Sequence, residues 1–260
     1  MPTEYECHKC KDQRVVVVMT DTAEEMPIGD ARMYVRIGDQ MAVREHYMRQ
    51  CTCVERKRVE RLFKSSHISE EFRKVGFKGF TVEGRPTCVK QARDTALDYY
   101  TKFDEIRHSD ANSIMLNGTP GSGKTHLLMA VSNGLIRQGI SVHYFPWAEG
   151  FNELRNNLDE LQQRIEIMTS VDVLFVDDLY KGRRAPTDFM LEQLVAIVYK
   201  RYLEHKPMLV STEKTMENML EIDEGVARRI LERSVGHRVM MLMTDDEKKQ
   251  GMELNYSLTR

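Results

Sequence analysis

One short pattern constrains the fold of this 260-residue chain more than any other feature. The stretch Gly118-Thr119-Pro120-Gly121-Ser122-Gly123-Lys124-Thr125 fits the spacing G-x-x-x-x-G-K-[ST]. It follows an apolar run that is typical of a strand, and it precedes a helical pattern. In that context the glycines let backbone N–H groups surround a phosphate, and the helix N-terminus favours the negative charge. The pattern therefore predicts nucleotide binding in an α/β fold.

The order of apolar runs after about residue 112 predicts the rest of that fold. Short apolar runs alternate with helical patterns, as in a parallel sheet covered by helices. The predicted strands are 113–117, 140–145, 171–176, 208–211 and 238–243, and the predicted helices are 124–137, 151–169, 188–205 and 216–234. In the second helix an apolar stripe, which we interpret as core packing, comprises Leu154, Leu158, Leu161, Ile165 and Met168. We expect a five-stranded parallel P-loop sheet with helices on both faces.

Two carboxylates end the most apolar of these strands. Asp177 and Asp178 follow Val173-Leu-Phe-Val176, so they should emerge at the carboxyl edge of the sheet, where ligands of such folds bind. We expect Asp177 and the Thr125 hydroxyl to bind Mg²⁺, and Lys124 to reach the β- and γ-phosphates of ATP. Asp178 is placed to orient the attacking water. The alternative, a pair of helix-capping aspartates, fits poorly with so apolar a strand.

The composition sets limits on the class of protein. With 41% hydrophobic and 30% charged residues, the chain is neither collagen-like nor fully disordered. The net charge of −2 gives no whole-chain argument for a nucleic-acid partner. Apolar runs such as Val15–Met19 are far too short to span a membrane, and the first residues lack the features of a signal peptide. We expect a cytoplasmic protein with no membrane partner, whose cysteines form no disulfides.

Four cysteines near the front have the spacing of metal ligands. Cys7 and Cys10 form a C-x-x-C pair, and Cys51 and Cys53 form a C-x-C pair, so the four thiolates could hold Zn²⁺ in a small zinc-ribbon-like module. A predicted hairpin of residues 15–19 and 33–37 would lie between the pairs. His8 is an alternative ligand or an exposed side chain, and Cys88 is expected to be a buried thiol outside the cluster.

Local charge marks a second segment. Residues 44–93 carry thirteen Lys or Arg and six Asp or Glu, a net charge of +7. Within it Arg56, Lys57, Arg58, Arg61 and Lys64 form either a basic helix face suited to phosphates or a merely solvated face. We predict four parts: a zinc-binding module over 1–55, a basic helical linker over 56–97, the ATPase core over 98–245 and a tail over 246–260.

The nucleotide motifs, with one extra strand between them, resemble the AAA+ class of ATPases. That resemblance implies a γ-phosphate sensor at the end of the next strand, where Ser211, Thr212 and Glu213 lie, and it places His126 beside the nucleotide. It also implies an arginine that reaches the ATP of a neighbouring subunit, for which Arg229 is preferred over Arg228. A surface arginine pair bonded to Glu224 or Glu232 is the alternative. The few residues after 243 leave no room for a helical lid.

The whole set is similar to the DnaC/DnaI type of replicative helicase loader. The similarity rests on the cysteine pairs, Glu55-Arg-Lys-Arg-Val-Glu-Arg-Leu-Phe63, Phe77-Lys-Gly-Phe80, the phosphate loop, Val176-Asp-Asp-Leu-Tyr-Lys181 and Ala227-Arg-Arg-Ile230. It implies a front module that binds the hexameric replicative helicase, and a core that binds single-stranded DNA and assembles with its copies in the presence of ATP. Two positions depart from the AAA+ pattern, Asp178 where many of these enzymes have glutamate and Glu213 where asparagine is common. The shorter carboxylate of Asp178 must reach its water from farther back, which predicts weak basal ATP hydrolysis.

Two other functions fit parts of the sequence. An IstB-like transposition ATPase also lacks a lid and binds DNA, but it generally has no cysteine module in front. A zinc-dependent adaptor would bind ATP and act by protein contact without needing hydrolysis. Substitution of Lys124 separates a loader that depends on ATP from such an adaptor.

Overall fold

A computed structural model of the chain describes residues 5–37, 39–182, 185–249, 251–252 and 254–255, and the side chain of Leu158 is not described. The predicted tail over 246–260 therefore falls only in part within the described residues. The chain forms two compact units, Met1–Arg61 and Leu62–Arg260. Among the helices described, none is long and apolar enough to cross a membrane.

The N-terminal unit is built on short antiparallel strands. Its elements are β1 (Val15–Met19), β2 (Glu25–Met26), β3 (Tyr34–Ile37), β4 (Gln40–Val43), β5 (His46–Gln50) and the start of α1 (Thr52–Ser65). Strand β1 lies between β2 and β5, and β3 pairs with β4 in a separate two-stranded sheet. The predicted hairpin of residues 15–19 with 33–37 is therefore wrong. The Gly38-Asp39 dipeptide in the sequence favours the local pairing of β3 with β4 instead.

The second unit contains the parallel sheet. Its elements are α2 (Thr87–Thr101), α3 (Phe103–Ile106), β6 (Ile114–Gly118), α4 (Lys124–Arg137), β7 (Val142–Pro146), α5 (Trp147–Asn156), α6 (Leu161–Ser170), β8 (Val173–Leu179), α7 (Asp188–Leu203), β9 (Met208–Thr212), α8 (Met216–Ile222), α9 (Glu224–Arg233), β10 (Arg238–Met241) and α10 (Asp245–Lys249). The strand order is β10-β6-β9-β8-β7, and every neighbouring pair is parallel. The predicted five-stranded parallel sheet is confirmed.

Helices cover both faces of this sheet because its strands are apolar on both sides. On one face Leu174 and Val176 of β8 join a core that includes Trp147 of α5 and Ile197 of α7. Alternation along the strand turns Phe175 to the other face, and α4 packs against β8 and β9. Strand β6 is buried along its whole length, so the loop that follows it starts from a fixed point.

Two predicted helices are each divided in the structure. The predicted helix over 151–169 consists of α5 and α6 with a 3₁₀ turn at 158–160 between them, since Asn156 and Asn157 favour ending a helix. The predicted helical stretch over 216–234 is divided at Asp223, whose carboxylate accepts from the Val226 N–H and caps α9.

The described part of the predicted stripe does pack in the core. Leu154 and Met168 are fully buried, and Leu161 and Ile165 pack against the same cluster.

Candidate nucleotide site and cysteine cluster

The phosphate loop joins the C-terminal end of β6 to the first turn of α4. Gly118 and Gly123 both have positive φ, 153° and 103°, which side chains other than glycine rarely adopt. A Cβ on Gly118 would lie 2.6 Å from the Met241 carbonyl oxygen, and one on Gly123 would lie 2.6 Å from a ring carbon of Phe80. These two glycines are therefore required by conformation and by packing, and they set the path of the loop toward the helix N-terminus.

Lys124 lies inside this loop. Its side chain is buried, and its Nζ donates to the carbonyl oxygens of Gly118 at 2.8 Å and Thr119 at 2.9 Å. Burial lowers the pKa of the ammonium, while the carboxylates of Asp178 and Glu213 oppose that shift. The loop thus holds a buried cation at the position from which a lysine can contact a bound phosphate.

Asp177 is the most extensively hydrogen-bonded carboxylate of the site. It accepts from Thr125 Oγ1 at 2.9 Å, from Tyr144 Oη at 3.0 Å and from Ser211 Oγ. Burial raises the pKa of the Asp177 carboxyl, the hydroxyl donors of Ser211 and Thr125 oppose the shift, and the charge of Asp178 adds to it. Strand β8 therefore delivers Asp177 to the Thr125 hydroxyl of the phosphate loop, and the two oxygens can share a Mg²⁺ ion.

Asp178 turns away from its neighbour. Its φ of 56° lies in the left-handed region, its N–H donates to Ser211 Oγ at 2.7 Å, and the pairing of β8 with β9 is irregular here. As a result its carboxylate is partly exposed and accepts from Lys181 Nζ at 2.7 Å. The same ammonium lies 3.4 Å from Glu213 Oε1.

Residues of the phosphate loop, Asp178, Lys181 and Glu213 border one cleft of about 260 Å³, and Asp177 adjoins it through its hydrogen bond with Thr125. Its lining residues are Pro120, Gly121, Gly123, Lys124, Thr125, His126, Asp178, Lys181 and Glu213. The phosphate loop, Asp178 near the end of β8 and Glu213 just after β9 therefore face the same space. Strand order explains the convergence, because β9 lies between β6 and β8 and the C-terminal ends of all three strands meet at one edge.

The proposed sensor residues differ in their placement. Glu213 borders the cleft, and the Ser211 hydroxyl donates to the Asp177 carboxylate. Thr212 is fully buried, and its hydroxyl donates to the Leu179 carbonyl at 2.7 Å. His126 borders the cleft, and its Nε2 lies 3.2 Å from the Gly76 carbonyl. Of the three residues that end or follow β9, Glu213 is thus the one positioned to meet a ligand.

The two candidate arginines lie on α9 in different environments. Arg228 is exposed and pairs with Glu224 at 2.6 Å, as the surface alternative expects. The Arg229 guanidinium stacks on the Tyr199 ring, with 3.5 Å from its carbon to the ring centroid, and donates to the Gly225 carbonyl at 2.7 Å. Arg229 is therefore held in one orientation by an aromatic partner, whereas Arg228 has only a solvated ion pair.

The four front cysteines meet in the N-terminal unit. Cys7, Cys10, Cys51 and Cys53 are all buried, and their sulfur atoms lie within 4.8 Å of one another. The Cys7–Cys51 and Cys10–Cys53 sulfur distances are 3.9 and 3.6 Å. Four thiolates about 2.3 Å from a tetrahedral Zn²⁺ would have sulfur–sulfur distances of about 3.8 Å, so the geometry fits such an ion.

The thiols of this cluster are not equivalent. A hydrogen bond with the Cys10 backbone lowers the pKa of Cys7 to about 7, whereas burial raises the pKa of Cys53 to about 12. His8 is exposed and does not belong to the cluster, and Cys88 is buried in α2.

Several contacts of the site were not predicted from the sequence. Tyr144 of β7 holds Asp177, Phe80 packs on Gly123, and Lys181 binds both Asp178 and Glu213. Arg85, which lies outside the phosphate-loop motif in sequence, donates to the Ser122 carbonyl at 3.3 Å. Lys181 had a signal, because it lies three residues after Asp178, but the others depend on tertiary contacts between distant segments.

Comparisons with known proteins agree with this geometry. The model of the family described as IstB-like ATP binding protein matches residues 96–252. Two relatives from Bacillus subtilis (strain 168) match most of the chain. YqaM is 39% identical over 252 residues, 87% of this chain and 79% of its own. The phage-like element PBSX protein XkdC is 36% identical over 260 residues, 98% of this chain and 87% of its own.

The predicted resemblance to DnaC-type proteins is found among more distant matches. The replicative helicase loader DnaC of Escherichia coli (strain K12) is 25% identical over 182 residues, 68% of this chain and 69% of its own. The crystal structure of the DnaC helicase loader superposes with a TM-score of 0.52 at 20% identity, covering 68% of this chain and all of that one. The predicted P-loop fold and the likeness to DnaC-type proteins are both confirmed. The chain belongs to the family of IstB-like ATP binding proteins.

Proposed function

We propose that this protein is an ATP-dependent loader of the hexameric replicative DNA helicase in the initiation of DNA replication. The observation that carries the proposal is the convergence of Lys124, Thr125, Asp177 and Asp178 at one edge of the sheet. Similarity to the helicase loader DnaC over 182 residues supports the choice among ATP-binding functions.

The geometry supports the assignment of each residue to a step. The backbone N–H groups of the phosphate loop and the Lys124 ammonium would bind the β- and γ-phosphates. Thr125 and Asp177 would hold Mg²⁺, which neutralises charge on the phosphates when bound. Asp178, which lines the same cleft, would orient the attacking water. Arg229 would act on the ATP of a neighbouring copy in an ATP-dependent homo-oligomer.

Slow hydrolysis follows from the state of Asp178. Its carboxylate is short, and Lys181 holds it at 2.7 Å, so an attacking water must compete with an ammonium for the same oxygen atoms. We expect a basal rate well below about 10 s⁻¹, the typical median for enzymes. Such a rate suits a switch that changes its partner affinity with the bound nucleotide.

The N-terminal unit would supply the contact with the helicase. Four buried cysteines would bind one structural Zn²⁺ ion and stabilise this small module. The β3–β4 hairpin exposes large apolar side chains, since Tyr34, Ile37 and Met41 are 64%, 66% and 65% exposed. Exposed apolar clusters of this kind are typical of protein contact surfaces. The basic residues within 44–93 would provide phosphate contacts for single-stranded DNA.

A second candidate, transposition ATPase, has a specific observation in its favour. The putative ATP-binding protein of insertion sequence IS5376 from Geobacillus stearothermophilus is 26% identical over 132 residues, but these cover only 49% of this chain. The loader is preferred because similarity to the replicative helicase loader DnaC covers 68% of this chain, more than the share that the insertion-sequence protein covers.

A reconstituted loading assay tests the proposal. The replicative helicase of the source organism, circular single-stranded DNA and the protein are mixed with and without ATP, and helicase bound to DNA is measured. Native mass spectrometry of the same mixtures reports the complex, its nucleotide and its zinc. The Lys124→Ala variant should lose loading, while Lys200→Ala, at an exposed position of α7, should keep it. An adaptor would load equally well with Lys124→Ala, and a transposition ATPase would form no helicase complex in any nucleotide state.

A further inference from the structure

A second lysine, which is not part of the phosphate loop, also lines the nucleotide cleft. Lys181 follows β8 in a tight turn, in which its N–H donates to the Asp178 carbonyl at 2.9 Å. Its Nζ lies 2.7 Å from Asp178 Oδ2 and 3.4 Å from Glu213 Oε1. The side chain is about half exposed and lines the same cleft as Lys124. Lys181 is therefore a solvent-accessible cation in contact with both carboxylates that line the cleft.

The carboxylates of Asp178 and Glu213 bring negative charge into the cleft close to Lys181. A phosphate chain bound on the loop and Lys124 extends toward Asp178 and Glu213, because these residues line the remainder of the cleft. Two carboxylates there would repel a terminal phosphate. The Lys181 ammonium offsets both charges, and it has three N–H donors that can be shared with a phosphate oxygen.

The two lysines are fitted for different parts of the ligand. Lys124 is buried and bonded to the loop carbonyls of Gly118 and Thr119, so it is fixed beside the phosphates that the loop binds. Among the described residues, Lys181 contacts the carboxylates of Asp178 and Glu213, and a long, half-exposed lysine can change rotamer at small cost. In the proposed function Asp178 orients the water that attacks the γ-phosphate, so the ammonium bound to Asp178 would lie beside the terminal phosphate of a triphosphate, which a diphosphate lacks.

We infer that Lys181 recognises the γ-phosphate and makes the site select nucleoside triphosphates over diphosphates, an inference that rests on the proposed function. When the ammonium binds the γ-phosphate, it releases Asp178 to accept a hydrogen bond from water. Lys181 thus links nucleotide recognition to the freeing of the carboxylate that orients water.

Binding constants for two nucleotides test this assignment. Isothermal titration with ADP and with a non-hydrolysable ATP analogue, both with Mg²⁺, is carried out on the full chain and on Lys181→Met. The variant should bind the analogue about tenfold more weakly, as expected for one charge-assisted hydrogen bond, while its affinity for ADP stays within about twofold. Lys200→Met, an exposed lysine away from the cleft, should change neither constant.

Each other outcome has a defined meaning. An unchanged ratio of the two affinities in Lys181→Met overturns the inference, whether both constants weaken equally or neither changes, because a residue that only stabilises the turn would not distinguish the ligands. The thermal midpoint without nucleotide checks that the variant is folded, and Lys181→Gln provides a second variant if it is not. Failure of the unmodified protein to bind either nucleotide would instead overturn the proposed function.

Discussion

The two units of this protein bury different kinds of atoms. In the N-terminal unit the core cluster consists of four cysteines together with Val16 and Val18. In the second unit the core around α5 and α7 is made of large apolar side chains such as Trp147, Phe151 and Ile197. The small unit also leaves the apolar side chains of its β3–β4 hairpin exposed, although their burial would have contributed to its stability.

This difference indicates where the stability of each unit resides. A module of about sixty residues buries too little apolar area to be stable by packing alone, so a bound metal ion would supply a large share of its folding free energy. The second unit has a large cluster of buried apolar side chains, whose packing contributes to its stability. Its functional groups can therefore be buried or strained, as Lys124 and Asp178 are, because the surrounding packing holds them.

The strongest test of this comparison is removal of one cysteine. Cys10→Ser should abolish zinc binding and unfold the N-terminal unit, because a structural zinc site with three ligands loses most of its affinity. Hydrogen exchange should show loss of protection in β1 and β5, while the second unit keeps its protection and its ATP affinity. Cys88→Ser, in α2 and outside the cluster, is the matched control for zinc content. Full zinc content and unchanged exchange in Cys10→Ser would contradict the comparison.

In the second unit, a substitution at the nucleotide site should change catalysis and leave the packing intact, which is a smaller effect than unfolding a unit. Asp178→Asn should lower kcat for ATP hydrolysis about 100-fold, because the amide cannot polarise the attacking water. The affinity for ATP should not fall, and zinc content and thermal midpoint should stay unchanged, since the carboxylate is partly exposed and does not support the core. A steady-state ATPase assay measures kcat, with Asp188→Asn as the control variant. Equal rates for Asp178→Asn and the unmodified protein would exclude Asp178 from the reaction.

Local patterns account for what the sequence predicted correctly. The phosphate loop and the five strands of the sheet are recognisable because each is a continuous segment with its own signature. Because the C-terminal ends of parallel strands meet at one edge of the sheet, Asp177 was expected close to Thr125. In the structure Thr125 Oγ1 lies 2.9 Å from Asp177 Oδ1. The four cysteines were grouped by spacing alone, and the structure brings their sulfur atoms together.

What was missed depends on contacts between distant segments or on weak local signals. Tyr144 reaches Asp177 because β7 pairs with β8, and nothing near Tyr144 in the sequence marks it. The pairing of β1 with β5 joins segments about thirty residues apart, whereas the prediction chose a nearer run. In contrast, the division of the helix over 151–169 had a readable signal in Asn156 and Asn157.

The smallest predicted effect concerns a capping box at the periphery of the second unit. Thr244 and Glu247 have the spacing T-x-x-E at the start of α10, and the Glu247 carboxylate accepts from the Thr244 N–H at 2.8 Å and the Thr87 N–H at 2.7 Å. These backbone hydrogen bonds lower the pKa of Glu247 to about 2. A short polar contact therefore joins α10 to the first turn of α2, in a unit whose stability otherwise depends on apolar burial.

Glu247→Gln measures this contact. The folded pKa lies below the unfolded value of 4.5, so the charged carboxylate stabilises the protein above about pH 4.5, and this contribution is lost as the pH falls toward 2. The variant should lower the thermal midpoint of the second unit by about 2 °C at pH 7, the usual effect of losing a helix cap in a domain of this size. The difference should shrink steadily below pH 4.5. If the difference in thermal midpoint between the two proteins did not change with pH, Glu247 would stabilise the unit by packing. The contact between α10 and α2 would then not differ in kind from the apolar core.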